Sequence, residues 1–266
     1  MAVDNTFMVK KIQSRKKLFA VYCAATNEPL LICDPLTFSD QVWLFEDEQL
    51  LQGFAKPYLE EKKLLLRGVE LKNTDFLKFF SSLFLLGANE IVYVDAGAKT
   101  AVSLESIVKR PDYSKLKPEQ VPISNPNLVL TGLYFLQEAH RQVPPEEKEG
   151  LQEKQEELFA NMVKARYIIP VKLNDGPGTV QEKIKNNLYG FPILKDKKEN
   201  AWQPAFTDVG EFERFAKGKG LGAFGIPFAH LAKALSKDCK GFMLNPNGFK
   251  ILMERALLEQ LPKRFQ

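Results

Sequence analysis

The sequence predicts an α+β protein built from two tandem copies of one domain, each a mixed, mainly antiparallel sheet with packed helices. Short β-branched or aromatic runs come first in each half of the chain, and helical segments lie between the later runs, which is typical of this class. The segment LFEDEQLLQGFAK at 44–56 aligns without a gap to AFTDVGEFERFAK at 205–217. A polar stretch at 109–127 carries four prolines, which predicts a linker between the copies.

In the first half, KLFAVYCAA at 17–25 and EPLLICD at 28–34 predict a hairpin that leads into a third strand containing Trp43. A helix follows, and then a strand, LLLRGVEL, at 64–71. A second helix and a strand ending in VDAG at 94–97 complete this half.

The second half repeats this order. Its strands are expected at 166–173, at 188–196, around Trp202, at 222–228 and at 241–248, with a short helix at 228–238 and a terminal helix at 249–261. Because several matched elements recur in one order, the pattern favours a duplication.

These boundaries predict a diverged first domain at 1–110, a linker with a helix at 111–154 and a second domain at 155–266. Two helices are predicted at 128–142 and 145–166. The second has proline and acidic residues near its start, where a helix N-terminus favours both.

Composition indicates a soluble protein of two domains, because 266 residues exceed one average core while 45% hydrophobic and 26% charged residues are ordinary. The net charge is only +4. The basic run at 9–17 is therefore expected to coat a solvated surface, and no nucleic-acid partner is expected. The most apolar run, at 76–94, is interrupted by polar residues and predicts no membrane helix.

Cysteine usage indicates a reducing compartment. The chain has three cysteines, Cys23, Cys33 and Cys239, and none of them form a CxxC motif. An odd number without this spacing suits neither a disulfide framework nor a thiolate zinc site. The first residues, MAVDNTFMVKK, show no signal-peptide pattern. The expected location is the cytoplasm.

A glycine-rich stretch, FAKGKGLGAFGIPF at 215–228, has the Gly-x-Gly-x-x-Gly spacing of a dinucleotide-binding loop. Such a loop needs a strand before it and a helix after it, because the helix N-terminus holds the phosphates. Here a helix is predicted before the glycines and a strand after them. Gly218 or Gly220 is instead expected to end the helix in a left-handed conformation, and no cofactor is expected.

The acidic residues near the repeated motif suggest two interpretations. Carboxylates such as Glu46, Asp47 and Glu48 are adjacent and suit a metal site or an acid–base pair. The favoured interpretation is that Asp208 caps the following helix, with Glu211 as the capping-box partner. With no histidine at metal spacing, we expect neither a catalytic residue nor a metal site.

A helix predicted at 74–87, TDFLKFFSSLFLLG, has more apolar residues than one buried stripe needs. Burial on most sides is the favoured explanation. The alternative is an exposed partner surface, for which Phe79 and Phe80 are the candidate contacts.

The second half resembles the N-terminal domain of the SseB (enhanced serine sensitivity protein B) family over about residues 155–262. The resemblance is carried by WQPAFTD at 202–208 and by GFMLNPNG at 241–248. The first half keeps Phe45 and Asp47 but lacks the proline and the Asn-Pro turn. The resemblance implies a bacterial protein with no established enzymatic activity, which favours binding over catalysis.

Two hypotheses follow for the function. The leading one is a non-catalytic, cytoplasmic regulatory or accessory protein that binds another protein. The alternative is a small-molecule-binding or enzymatic site in the second-copy loops near Asp208 and Asn245, completed by Lys217 and Lys219. It requires these polar groups to converge in one concave pocket.

Overall fold

The computed structural model describes residues 5–174, 177–186 and 189–265. The described residues do not include 1–4 and 266, which are at the outer bounds of the two expected domains. They also do not include Leu188, at the start of one predicted strand. The chain divides into two compact units. Unit 1 contains the described residues through Lys117 together with Val129–Gln155, and unit 2 contains Pro118–Leu128 together with the described residues from Glu156 onward.

Unit 1 begins with a helix and then forms one sheet. Its elements are α1 (Thr6–Ser14), β1 (Lys17–Cys23), β2 (Glu28–Pro29), β3 (Leu31–Cys33), β4 (Asp40–Phe45), α2 (Glu48–Glu60), β5 (Leu66–Lys72), α3 (Phe76–Leu83), β6 (Glu90–Asp95), β7 (Ala98–Ser103), α4 (Leu104–Ile107), α5 (Pro126–Ala139) and α6 (Leu151–Lys164). The helix α5 begins in the Pro118–Leu128 segment of unit 2, and α6 continues into unit 2.

The sheet of unit 1 has the strand order β2-β1-β4-β6-β7, with β5 also paired to β1 and β3 to β4. The β4–β6 pair is parallel and the other pairs are antiparallel. Apolar residues of β1 and β4, among them Val21 and Phe45, pack against Leu51 of α2 in a buried cluster. Since burial of such side chains drives folding, this cluster fixes α2 against the sheet.

Unit 2 continues from α6. Its elements are β8 (Arg166–Leu173), α7 (Val180–Lys185), β9 (Tyr189–Gly190), β10 (Leu194–Lys195), β11 (Ala201–Ala205), α8 (Val209–Ala216), β12 (Leu221–Pro227), α9 (Leu231–Ala234), β13 (Gly241–Leu244), β14 (Ile251–Glu254) and α10 (Arg255–Arg264).

Two sheets form in unit 2, a four-stranded one in the order β10-β11-β13-β14 and a three-stranded one in the order β12-β8-β9. The β11–β13 pair is parallel, and the remaining pairs are antiparallel. A single bridge between Ile168 and Phe206 links β8 to the chain just after β11. The backbone N–H of each residue donates to the carbonyl of the other at 3.0 Å.

The same pairings occur in both units. The strands β1 and β5 pair antiparallel over seven residues, as do β8 and β12, and each unit has one parallel pair followed by a hairpin. Phe19 lies opposite Phe45 in unit 1, and Ile168 lies opposite Phe206 in unit 2. The predicted α+β class with a mixed, mainly antiparallel sheet is therefore confirmed.

Three predicted helices differ from the structure. The helix expected at 145–166 begins only at Leu151, after a separate 3₁₀ turn at Pro145–Glu147. The segment 249–261 is not one helix, because Ile251–Glu254 forms β14 and α10 begins only at Arg255. Pairing with β13 satisfies the backbone groups of that strand and buries Met253, which outweighs the helical pattern of the segment. The segment 228–238 is reduced to a 3₁₀ turn, Phe228–His230, and the single turn of α9.

Every helix among the described residues falls short of the length and apolarity that a bilayer crossing requires.

Candidate functional site

The predicted site residues Asp208 and Asn245 lie where the two parallel strands of unit 2 end. Ala205, the last residue of β11, is opposite Leu244, the last residue of β13. Asn245 follows directly, and Asp208 comes three residues after β11. The carboxyl ends of parallel strands are a common place for binding sites in open sheets.

Asn245 is fully buried and holds Thr207 from two sides. Its Oδ1 accepts the backbone N–H of Thr207 at 3.0 Å, and its Nδ2 donates to Thr207 Oγ1 at 2.9 Å. The backbone of Asn245 has a φ of 45°, a left-handed conformation that asparagine tolerates better than most residues. Its side chain is therefore committed to a contact within unit 2.

Asp208 caps the helix α8. One carboxylate oxygen accepts the backbone N–H of Glu211 at 3.0 Å, and the other accepts the Thr207 hydroxyl at 2.7 Å. The predicted role of Asp208 as the cap of this helix is thus confirmed, and the capping-box role of Glu211 stays a prediction. We call Thr207, Asp208 and Asn245 the buried brace, because all three are at most 5% exposed and join β11, β13 and α8.

A fourth polar residue, Asn125, joins the buried brace from the proline-rich stretch. Its Nδ2 donates to the carbonyl oxygens of Arg166 and Thr207, and its Oδ1 accepts the backbone N–H of Arg166 at 3.2 Å. The prolines of this stretch predicted a linker, and the contact of Asn125 with unit 2 was not predicted. The asparagine before Pro126, at the start of a helix, is the signal that was available.

Lys217 and Lys219 lie at the other end of α8 from Asp208. Lys217 follows the last helical residue, and the eight residues of α8 separate it from Asp208 by about 12 Å. The Nζ of Lys219 lies 3.6 Å from the centre of the Phe215 ring, a cation–π contact. The four polar residues of the alternative hypothesis are therefore brought together only in part, as Asp208 with Asn245.

The glycine-rich stretch has the predicted helix-before-strand order. Gly218 and Gly220 have φ values of 74° and 59° between α8 and β12. The N–H of Lys219 donates to the Ala216 carbonyl at 2.9 Å, which closes the end of the helix as left-handed C-terminal motifs do. These glycines end a helix, as predicted.

Phe79 and Phe80 are 7% and 2% exposed on α3. Their rings meet edge to face with centroids 5.6 Å apart. Leu77 of the same helix is 71% exposed. A partner approaching α3 would therefore meet Leu77 rather than the two phenylalanine rings.

A charged cluster occupies the corresponding place in unit 1, where β4 and β6 end. Arg15, which directly follows α1, pairs with Glu46 at 2.6 Å. The Tyr93 hydroxyl donates to Glu46 at 3.0 Å, and Lys11 of α1 pairs with Asp95. Burial, assisted by the hydrogen bond to Glu46, raises the pKa of Tyr93 to about 12. Part of the basic run at 9–17 thus holds α1 on the sheet, and sequence analysis, which expected that run to coat a solvated surface, missed it.

Within the part of the chain that the structure describes, no group of three or more His, Cys, Asp or Glu residues is arranged to hold a metal ion. The ring Nδ1 of His140 lies 2.8 Å from the Leu136 carbonyl of its own helix. The Asp47 carboxylate accepts the Leu50 N–H at 2.8 Å and caps α2. The repeated motif is therefore a helix cap in both units.

A tight loop between β3 and β4, residues 34–39, presents two large apolar side chains to solvent. Leu36 is 87% exposed and Phe38 is 76% exposed. The Asp34 carboxylate accepts the backbone N–H groups of Leu36 and Thr37 at 2.8 and 3.2 Å. These hydrogen bonds lower the pKa of Asp34, and the bond from the Leu36 N–H has the largest effect. They also join the Asp34 side chain to the backbone of the loop.

Phe38 itself adopts a left-handed backbone conformation, with a φ of 56°. Its N–H donates to the Asp34 carbonyl at 2.8 Å, and the Asp34 N–H donates to the Ser39 carbonyl at 2.9 Å. A bulky residue in this conformation costs roughly 1–2 kcal/mol. Sequence analysis did not single out this loop, although Asp34-Pro35 is a recognisable turn signal.

Comparison with known proteins bears on unit 2. Residues 147–260 match the family model described as SseB protein N-terminal domain. The resemblance seen in the second half is confirmed. The matched range contains the whole buried brace, and most of unit 1 lies outside it.

Two further comparisons add little. Among curated proteins there is no match. Among solved structures the chain is similar to one described as Anabaena Tic22 (protein transport), at 9% identity and a TM-score of 0.22, over 83% of this chain and 81% of that one. A similarity this weak supports no conclusion about fold or function.

Proposed function

We propose that this chain is a non-catalytic, cytoplasmic bacterial accessory protein that binds another protein, and that its two units are copies of one SseB-like domain. The observation that carries the binding proposal is the 34–39 loop. It exposes Leu36 and Phe38 on a backbone that is hydrogen-bonded to Asp34, and exposed apolar side chains on a backbone ordered before binding suit a protein interface.

Strain at Phe38 supports the same proposal. An asparagine or glycine would relieve the left-handed backbone at little cost, yet a phenylalanine occupies the position and its ring lies in solvent. Backbone strain of this kind concentrates at sites that bind. A ring placed there contributes nothing to a core, so its contribution lies in contact with a partner.

The alternative, a site near Asp208 and Asn245, has less support. The hydrogen bonds of the buried brace are directed inward, between its own members and to the start of α8. Lys217 and Lys219 follow the far end of that helix. A ligand site here would need the brace to open, which would leave buried polar groups unpaired at roughly 1–3 kcal/mol each.

The duplication is supported by equivalent pairings. In unit 1 Leu44 lies opposite Tyr93, and in unit 2 Ala205 lies opposite Leu244. The next residue on the second strand is then Val94 in one unit and Asn245 in the other. We infer that the copies have diverged here, with the charged cluster in unit 1 in the place of the buried brace.

Site-specific photo-crosslinking tests the binding proposal. The photoreactive residue p-benzoylphenylalanine is incorporated at position 38 of the protein, in the bacterium that naturally makes it. Incorporation at position 77 is the matched control, because Leu77 is a similarly exposed apolar residue of unit 1. We expect a discrete crosslinked protein from position 38 that is lost with Leu36→Ser. Absence of that product, or equal products from both positions, contradicts the proposal.

A further inference from the structure

Unit 2 contains an open aromatic cleft between β12 and residues 230–237, with a volume of about 690 Å³. Three rings line it, those of Tyr189, Phe191 and Phe224, with centroid separations of 5.5, 5.8 and 6.5 Å. Each ring is only partly buried. The volume lies in the range of clefts that bind ligands or peptide side chains.

The cleft exists because the core-facing side of the sheet ends at an edge strand. Phe224 and Ile226 lie two residues apart on β12, so they share a face. They are opposite Ile169 and Tyr167 of β8, which are fully buried. In the three-stranded sheet β12 is the last strand on its side, and the apolar face therefore continues from the core into the cleft.

The charged side chains among the described lining residues of the cleft are two lysines, Lys233 and Lys237. His230, Lys233 and Lys237 line it, and all three are exposed. No Asp or Glu is among its described lining residues. Lysine stems can cover an apolar surface while their ammonium groups stay at the water boundary, so the mouth of the cleft is cationic and its floor is aromatic.

We propose that this aromatic cleft binds an acidic segment of a partner protein, whose apolar side chains pack against the three rings and whose carboxylates pair with Lys233 and Lys237. The inference rests on the proposed function as a protein-binding chain. It adds the chemistry of the bound segment and assigns its binding site to unit 2, whereas the 34–39 loop belongs to unit 1.

Both parts of the occupant follow from complementarity. An apolar side chain that leaves water in this cleft contributes about 25 cal/mol per Å² of buried surface. Carboxylates at the rim gain attraction from the lysines and disfavour basic competitors. A free lipid chain needs an enclosed tunnel to hide its length, whereas this cleft is open to solvent, which favours a peptide.

Selection from a random 12-residue peptide library on the intact chain tests the inference. We expect enriched peptides that combine Asp or Glu with at least two aromatic or aliphatic residues. The dissociation constant of a synthesised winner should rise at least tenfold with Lys233→Glu/Lys237→Glu and with Phe224→Ser, and should rise with salt concentration. Lys250→Glu, an exposed lysine of the same unit outside the cleft, is the matched control and should leave binding within twofold.

Fluorescence of Trp202, which is buried in unit 2, and circular dichroism check that each variant is folded. The inference is overturned if no peptide is enriched over a bait-free selection, if the winners lack acidic residues, or if Lys250→Glu weakens binding as much as the cleft variants. Displacement of the peptide by dodecanoate at equal concentration overturns it in favour of a lipid ligand. Crosslinking at position 38 does not depend on this cleft, so the failure of either proposal is recognisable separately.

Discussion

Replacing Asn245 by alanine tests whether the buried brace is structural. The substitution removes the acceptor for the Thr207 backbone N–H and the donor to Thr207 Oγ1. It also places alanine at a φ of 45°. Each of these effects has a known magnitude, so the loss of stability can be worked out before the measurement.

The Thr207 amide is the largest contribution. Left unpaired in a buried position, it costs about 2 kcal/mol. The lost bond to the Thr207 hydroxyl costs about 1 kcal/mol, and alanine in the left-handed region costs about 1 kcal/mol more than asparagine. We therefore expect Asn245→Ala to lower the free energy of unfolding by about 4 kcal/mol, and Asn245→Gly, which has no such strain, by about 3 kcal/mol.

Urea unfolding followed by tryptophan fluorescence measures this loss of stability. Each unit contains one tryptophan, Trp43 in unit 1 and Trp202 in unit 2. In a Trp43→Phe background the fluorescence reports unit 2 alone. With a denaturant slope of about 2 kcal/mol per M, the Asn245→Ala midpoint should fall by about 2 M.

Asn247→Ala is the matched control, since Asn247 lies in the same turn and is exposed. It should change stability by less than about 0.5 kcal/mol. If Asn245→Ala costs no more than this control, the buried brace does not stabilise unit 2, and Asn245 is available for the ligand that the alternative hypothesis requires.

Three further predictions concern other parts of the fold. Hydrogen bonds from Asn200 and Trp202 lower the pKa of Asp196. The contribution of Asp196 to stability is therefore present above the ordinary aspartate pKa of about 3.9 and is lost as the pH falls below that value. Asp196→Asn should remove this acid dependence in a Trp202 fluorescence titration, and an unchanged titration would refute the prediction. Burial raises the pKa of Tyr93 to about 12. The contribution of Tyr93 to stability is therefore present below about pH 10 and is lost as the pH rises through 12. Tyr93→Phe should remove the step near pH 12 in tyrosinate absorbance, and persistence of that step would show that Tyr93 is not the group. Gly241→Ala should lower the free energy of unfolding of unit 2, measured with urea, by about 3 kcal/mol, because a Cβ would overlap the Met253 carbonyl oxygen. Gly190→Ala is the control, since a Cβ there has free space and the substitution should be nearly neutral.

Local chemistry was predictable from the sequence. Asp208 as a helix cap and Gly218 and Gly220 as a helix end each depend on residues within a few positions of one another. Much of the order of strands and helices also followed from short-range periodicity, although α1 and β7 were not predicted. These features need no knowledge of which distant segments meet.

Features that depend on distant pairs were missed. Asn245 bonds to Thr207 and Asn125 bonds to Arg166 across 38 and 41 residues, and no local pattern predicts such partners. The strand β14 was mistaken for helix because its pairing with β13 overrides a helical pattern. The exposure of Phe38 likewise follows from the tertiary surroundings and not from the turn signal at Asp34-Pro35.

The central claim is that the chain acts by binding a protein through the 34–39 loop, and Phe38→Asn tests it most directly. Asparagine accepts the left-handed backbone, so unit 1 should be as stable as before or up to about 1 kcal/mol more stable, as followed by Trp43 fluorescence in a Trp202→Phe background. The yield of partner crosslinked from position 36 should fall at least tenfold. An unchanged yield in a folded Phe38→Asn variant would contradict the account.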